Sequence, residues 1–369
     1  MSWAIWITGP PGSGKSAIAR AATAELQAQG QPVKRLELDE IRKCITPEPR
    51  YTDRARDVVY RALGYMAVTL VEADTPVLID ATAHRRVWRD LVRAVVPSFA
   101  EVQLVCPLEV CQERERTRTP GPAPRDIYRQ AGRPGATVPG VGVPYEPALT
   151  PELTIDTSAQ SVDEAAGRVA RLAAGLAVAA GTESAATERE PGWAIWITGR
   201  PGSGKSTLAL RVREALREGD TRVRLLDQAS VRRFLLNDRP GDDAETDLVH
   251  RALTYTAKLL TEAGVSVIVD ATAGRRAWRE AARALIPCFA EVQLLCPTEI
   301  CLERERAVRW GLTFEPTTAP AALGPDISLD YEESVRPDLS IRTDVYDPHA
   351  AAERVLLVIQ RLAGSPSRA

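Results

Sequence analysis

Short apolar runs alternate with helical stretches from the first residues onward. Ala4–Thr8 is a continuous apolar strand, and Lys15–Gln29 after it reads as a helix. The series continues with strand Val33–Leu38, helix Asp53–Ala73, strand Val77–Ile79, helix Arg86–Val95 and strand Glu101–Val105. Strands that are apolar at successive positions, not at every second one, are buried on both faces. Their alternation with helices therefore predicts an α/β fold, a mostly parallel sheet flanked by helices.

The pattern is written twice. Trp3-Ala4-Ile5-Trp6-Ile7-Thr8-Gly9 returns unchanged as Trp193-Ala194-Ile195-Trp196-Ile197-Thr198-Gly199, an offset of 190. The same offset carries Asp80-Ala81-Thr82-Ala83 onto Asp270-Ala271-Thr272-Ala273, and Phe99–Leu104 onto Phe289–Leu294. A repeat of this size is a duplicated domain and not a solenoid. The predicted organisation is a domain at 1–180, closed by an Ala-rich helix over Ser161–Ala180, a Gly/Ser/Thr-rich linker at 181–192, and a second domain at 193–369. A helix over Ala350–Leu362 closes the second copy in the same way.

Composition narrows the functional classes. The 369 residues carry 47 Lys and Arg against 49 Asp and Glu, for a net charge of −2. That balance argues against a nucleic-acid or anionic-membrane surface. No apolar run approaches the roughly 20 residues of a bilayer span, and the N-terminus lacks a basic signal-peptide region. Six cysteines in a chain this long do not make a disulfide scaffold, so a cytoplasmic setting is expected. Cys106 and Cys111, repeated as Cys296 and Cys301, read as small buried residues rather than a metal pair. Trp3, Trp6 and Trp88 read as core packing, and His84 as a loop residue.

Chemistry concentrates in two glycine-rich turns. Gly9-Pro10-Pro11-Gly12-Ser13-Gly14-Lys15-Ser16 and Gly199-Arg200-Pro201-Gly202-Ser203-Gly204-Lys205-Ser206 both fit G-x4-G-K-[ST], each between a strand and a helix. Glycines let backbone N–H groups turn inward around phosphates, and the helix N-terminus adds positive potential. Lys15 and Lys205 then reach the terminal phosphates of ATP, and Ser16 and Ser206 can ligate Mg²⁺. The third strand of each copy closes on Asp80 or Asp270. That acid either holds Mg²⁺ through water or N-caps the following helix.

The second strand leads into Glu37-Leu38-Asp39-Glu40-Ile41-Arg42. A carboxylate past a strand's C-terminal edge lies beside the phosphate loop and can take the proton of an attacking hydroxyl, with Arg42 clamping an anion. The alternative is an N-cap Asp with a solvated Arg. Further on come Tyr51-Thr52 with Arg56 and Val59, Arg125-Asp126-Ile127-Tyr128, and Pro144-Tyr145-Glu146-Pro147 followed by Pro151-Glu152-Leu153. With these segments, most of Ile5–Thr157 resembles the adenylyl-sulfate (APS) kinase family, whose D-G-D-x-x-R, F-S-x-x-x-R-x-x-N, R-D-x-x-G-L-Y and P-Y-E-x-P motifs they approximate. The fold implied is two tandem P-loop kinase domains.

The resemblance implies an enzyme that uses ATP and Mg²⁺ to phosphorylate the 3′-hydroxyl of adenosine 5′-phosphosulfate, giving PAPS in sulfate activation. Asp39 would be the acceptor-side base or Mg²⁺ organiser. Arg42 and Arg56 would grip the phosphosulfate, Tyr51 would stack on its adenine, and Tyr145 would line the substrate site. Arg114 and Arg116 match the approach to a mobile lid, or else form a solvated helix face. The chain departs from the family where Asp80-Ala81-Thr82-Ala83 replaces S-F-I-S-P, where Val59 replaces an asparagine, and where Val138 aligns near a phenylalanine. A second reading is a kinase for another small hydroxylated anionic acceptor, and a third a nucleotide-binding regulatory protein with little turnover.

The copies differ on the acceptor side. Ala229, Gly241 and Thr246 stand at the positions of Asp39, Tyr51 and Arg56, and only Arg42 is kept, as Arg232. The second copy is therefore expected to bind nucleotide and to contribute little transfer, with Asp227 or Asp270 as the available substitute bases. A homodimer and an intramolecular pairing of the copies are both compatible with the duplication.

Overall fold

The computed structural model describes residues 2–48, 52–117, 127–130, 138–181, 190–219, 221–309 and 331–364. The chain divides into two compact units, Met1–Glu188 and Arg189–Ala369.

Unit one runs β1 (Ala4–Thr8), α1 (Lys15–Ala28), β2 (Lys34–Glu37), α2 (Leu38–Ile45), α3 (Asp53–Glu72), β3 (Val77–Asp80) and α4 (Val87–Arg93). It continues with β4 (Phe99–Val105), α5 (Leu108–Thr117), the short α6 (Ile127–Gln130), β5 (Leu153–Asp156) and α7 (Val162–Ala179). The strands form one parallel sheet in the order β2-β3-β1-β4-β5. Every residue of β1 and β3 is buried, which is why these strands carry no polar alternation.

Unit two repeats this with β6 (Ala194–Thr198), α8 (Lys205–Glu218), β7 (Val223–Asp227), α9 (Gln228–Leu236), α10 (Asp243–Glu262) and β8 (Ser266–Asp270). Then come α11 (Arg276–Leu285), β9 (Phe289–Leu295), α12 (Thr298–Arg309), β10 (Leu339–Arg342) and α13 (Pro348–Ala363). Its parallel sheet has the order β10-β9-β6-β8-β7. In both units the outer strands flank a central strand that ends in the glycine loop. That puts the loop at the C-terminal edge of the sheet, where ligands of open α/β sheets bind.

One core of unit one packs Trp3 and, from β1, Ile5 and Ile7 against Ile18, Ala22 and Leu26 of α1 and Ala166, Val169 and Ala173 of α7. Helix α7 is Ala-rich because it lies close against α1, and it opens on a capping box in which the Ser161 side chain and Glu164 bond each other's backbone. Ser161 is thus the cap and not the first helical residue. At the end of unit two, α13 begins at Pro348, ahead of the expected Ala350, because Asp347 caps it and proline suits the first turn.

Two boundaries bear on chemistry. β2 stops at Glu37 and α2 starts at Leu38, so Asp39 and Arg42 stand three residues apart in one helix. The cap position of α2 is Glu37, so Asp39 is not an N-cap. Likewise Arg86, and not Asp80, occupies the cap position of α4. No helix among the described residues is long and apolar enough to cross a membrane.

Candidate active site

The phosphate loop of unit one is shaped by contact. Gly14 has φ 91° and caps α1, and Gly12 has φ 75°. A Cβ on Gly12 would overlap the Cys111 carbonyl oxygen, so α5 presses directly on the loop. Lys15 is 9% exposed and folds back over the loop, donating to the carbonyls of Gly9 at 3.1 Å and Pro10 at 2.9 Å. Burial lowers its pKa, against the fields of Asp80, Asp39 and Glu115. Ser13 Oγ is fully buried with no hydrogen-bond partner. A buried hydroxyl without a partner in a glycine-rich loop at a helix N-terminus fits a phosphate oxygen.

Asp80 lies across the loop from Lys15. Its carboxyl is pushed up to about 6 by burial, against the pull of Lys15 and a hydrogen bond with Ser16. Glu37 adds repulsion, and Arg35 pairs with Glu37 while standing 3.8 Å from Asp80. Asp80 Oδ2 is buried without a hydrogen bond. A half-satisfied carboxylate beside a serine hydroxyl is a donor set suited to a hard divalent cation.

The residues expected on the acceptor side share an electrostatic neighbour, Tyr60. Arg56 and Tyr60 lie one turn apart on α3, and the Tyr60 hydroxyl accepts from the Ala83 amide at 3.1 Å. Burial raises the Tyr60 pKa, and the fields of Arg42, Asp39 and Arg56 all act on its hydroxyl. The charge of Asp39 also acts on Lys15. Arg42 Nε is buried with no hydrogen-bond partner. Tyr51, Arg125 and Asp126 lie outside the described residues.

The remaining candidates separate. Arg114 Nη2 and Nη1 donate to the carbonyl and hydroxyl of Thr157 at 2.7 and 3.1 Å, and its guanidinium ends about 4.0 Å from where a Gly14 Cβ would be. Arg116 instead pairs with Glu113 one turn away on an exposed face. The Tyr145 hydroxyl sits 2.8 Å from Thr8 Oγ1 and 3.2 Å from Gln103 Oε1, so it is committed to the strand ends. Tyr128 donates to the Pro11 carbonyl at 2.8 Å, tying α6 to the phosphate loop.

A scaffold that the motifs did not reveal holds the loop after β3. Arg89 is 0% exposed, pairs with Glu101 at 2.5 Å and donates to the carbonyls of Ala83 and Glu146. Glu146 in turn accepts from the Arg86 amide at 2.7 Å and donates its own amide to the His84 carbonyl. The Pro144–Pro147 segment is therefore a strap over this loop. Unit two has the same device, with Arg279 on Glu291, Ala273 and Glu332. The signal was present in the repeat, because Arg89 and Glu101 map onto Arg279 and Glu291 at the 190 offset.

Unit two keeps the phosphate side. Lys205 donates to the Arg200 carbonyl at 3.0 Å, Gly202 presses on Cys301 as Gly12 does on Cys111, and Ser203 Oγ is again buried and orphaned. Gly199 has φ 154°, Gly204 caps α8, and burial raises the Asp270 pKa against Lys205 and a hydrogen bond with Ser206. Its acceptor side is rebuilt. Ala229 and Arg232 are exposed, and Asp227 spends its carboxylate capping α9 through the Ser230 amide at 2.7 Å. His250 takes the place of Tyr60, and Gln228 instead accepts from the Ala273 amide at 3.5 Å.

A parallel sheet of order 2-3-1-4-5, a G-x4-G-K-S loop after its central strand and an acid on the neighbouring strand define a P-loop kinase fold, built twice. The adenylylsulphate kinase profile matches residues 1–156 and again 191–342. The chain therefore belongs to the adenylylsulphate kinase family, as a tandem duplication of its domain. An adenylyl-sulfate kinase of Bacillus licheniformis is 36% identical over 165 residues, 43% of this chain and 79% of that relative. One of Bacillus pumilus is 37% identical over 172 residues, 45% of this chain and 81% of the relative. Among solved structures, the Mycobacterium tuberculosis APS kinase in complex with AMPPNP and APS is 27% identical, with a TM-score of 0.38, covering 46% of this chain and 98% of that one.

Proposed function

We propose that unit one transfers the γ-phosphoryl of ATP to the 3′-hydroxyl of APS, and that unit two binds nucleotide with little transfer. What carries this reading is the placement of Asp39 and Arg42 on one helix at the C-terminal edge of the sheet, with the charges of Asp39, Arg42 and Arg56 all acting on the buried Tyr60 hydroxyl and that of Asp39 on Lys15 as well.

In this reading the loop amides and Lys15 hold the β- and γ-phosphates, and Arg114, pinned by Thr157, flanks them. Ser16 and Asp80 would hold Mg²⁺, which when bound neutralises charge on the transferred group. The carboxylate of Asp39 accepts the proton of the attacking hydroxyl. Arg42 and Arg56 hold the anionic end of the acceptor, and the buried, unpartnered Nε of Arg42 gives one donor for it. Tyr145 acts here as a support for the strand ends.

One observation favours a second reading, transfer to another small hydroxylated anion. Val59, which replaces the family's asparagine, is 4% exposed and offers no hydrogen bond. The deciding assay is ADP release by the purified chain with Mg·ATP, alone, with APS, and with a panel of other hydroxylated anions. APS-dependent ADP supports the proposal. ADP release with another acceptor only would replace it with the second reading.

A further inference from the structure

Arg35 lies inside β2 and shares a face of the strand with Glu37, because alternate strand residues point the same way. Glu37 and Asp80 are register partners across β2 and β3, so the guanidinium is brought to the carboxyl end of both strands. Its Nη1 pairs with Glu37 and lies 3.8 Å from Asp80 Oδ2. That same oxygen is buried without a hydrogen bond. The Arg35 side chain is 18% exposed and that of Asp80 only 2%, so water and salt screen the contact poorly. Lys15 also acts on Asp80, while its ammonium donates to the Gly9 and Pro10 carbonyls. Glu40 comes within 3.9 Å of Arg35 Nη2 from the exposed first turn of α2, and Asp39 acts on Lys15.

Unit two is built without this guanidinium. Its register pairs Asp227 with Asp270 and Leu225 with Ile268, as unit one pairs Glu37 with Asp80 and Arg35 with Leu78. Leu225 therefore holds the place of Arg35, packed against the core. The loop lysine and both strand-end carboxylates are kept, so the same sheet forms without the arginine. Asp80 and the Ser16 hydroxyl make an incomplete donor set. Among the described residues no group of three or more His, Cys, Asp or Glu is placed to hold a metal ion. A hard divalent cation at this position needs further oxygen ligands, which nucleotide phosphates supply.

We propose that Arg35 is the resident counter-ion of Asp80 in unit one, closing this carboxylate to a free divalent cation so that Mg²⁺ enters with its nucleotide. The inference rests on reading Ser16 and Asp80 as the residues that hold Mg²⁺. It adds how the cation is admitted.

The test uses Mn²⁺ as the probe, with its binding to the full chain read by electron paramagnetic resonance in the absence of nucleotide. An Asp270→Asn background silences unit two, and Asp80→Asn with Asp270→Asn sets the level of surface binding. Removing a positive charge 3.8 Å from a buried carboxylate favours the cation. Arg35→Leu in the Asp270→Asn background therefore binds Mn²⁺ at least about tenfold more tightly than that background alone. In the reverse exchange, Leu225→Arg in an Asp80→Asn background weakens Mn²⁺ binding by unit two at least about tenfold. An arginine that only braced the strand end would do the opposite in unit one, because its loss would loosen Asp80. Unchanged or weaker binding in Arg35→Leu overturns the proposal. Leu225→Arg decides it alone if Arg35→Leu does not fold, and unchanged binding there overturns it too. The ATP analogue AMPPNP separates the underlying reading. If Asp80→Asn leaves Mn²⁺ binding with AMPPNP unmoved, the cation role of Asp80 falls and this inference falls with it. If Asp80→Asn weakens that binding while Arg35→Leu matches its background without nucleotide, only the counter-ion role falls.

Discussion

Asp39 is the residue whose environment separates the two units. It sits one turn before Arg42, within the field of Lys15, where Ala229 stands exposed in unit two. On the proposed reading, replacing the carboxylate by an amide of the same shape removes the proton acceptor and little else. Asp39→Asn is therefore expected to lower kcat by about 10²–10⁴ while leaving nucleotide affinity within about twofold, read by turnover and equilibrium nucleotide binding. Gly12 makes a complementary prediction. Its φ of 75° and the Cys111 carbonyl against it leave no room for a methyl group. Gly12→Ala should abolish nucleotide binding in unit one, and Gly202→Ala in unit two, in the same binding experiment.

Among elements, the Pro144–Pro147 strap and α4 are joined through Arg89, fully buried and bonded to Glu101 and two carbonyls. Removing one member of a buried ion pair strands the other charge. Arg89→Ala is expected to cost about 3–5 kcal/mol in unit one, measured by denaturant unfolding, and Arg279→Ala the same in unit two. How far such features were legible depended on their range. The phosphate loops are local, so glycine spacing between a strand and a helix was sufficient. The Asp39/Arg42 pair was legible from motif likeness, although the apolar pattern of β2 runs on into Leu38 and masks the start of the helix that carries the pair. Arg89, Tyr60 and Glu146 lie on separate segments, and their partners are up to 60 residues away, so no local pattern announced them. Only the pair Arg89 and Glu101 carried a trace, by recurring at the 190 offset as Arg279 and Glu291. Burial decided the tryptophans: Trp3, Trp6 and Trp88 are all at most 2% exposed.

Across the whole molecule the duplication preserves the glycine loop with its lysine and aspartate, and replaces Asp39, Arg56 and Tyr60 by Ala229, Thr246 and His250, down to the ring packed on Trp88 or Trp278. That exchange has a consequence for stability. His84 and His250 are both held down to about 4, by burial foremost, against an ordinary value of 6.5. The unfolded chain thus binds these protons first as pH falls. Stability is full above about 6.5 and is lost as pH drops toward 4. Thermal unfolding should show Tm falling across that window, and His250→Asn should flatten the fall for unit two. A wild-type Tm constant from pH 7 to 4.5 would contradict it.

The asymmetry of the units is tested most directly by APS-dependent ADP release in Lys15→Ala and Lys205→Ala, each assayed beside the wild type. Either substitution removes the phosphate-binding lysine of one unit and leaves the other intact. Lys15→Ala is predicted to lose at least about 100-fold in turnover, while Lys205→Ala keeps more than half. Equal losses from the two substitutions would contradict the account.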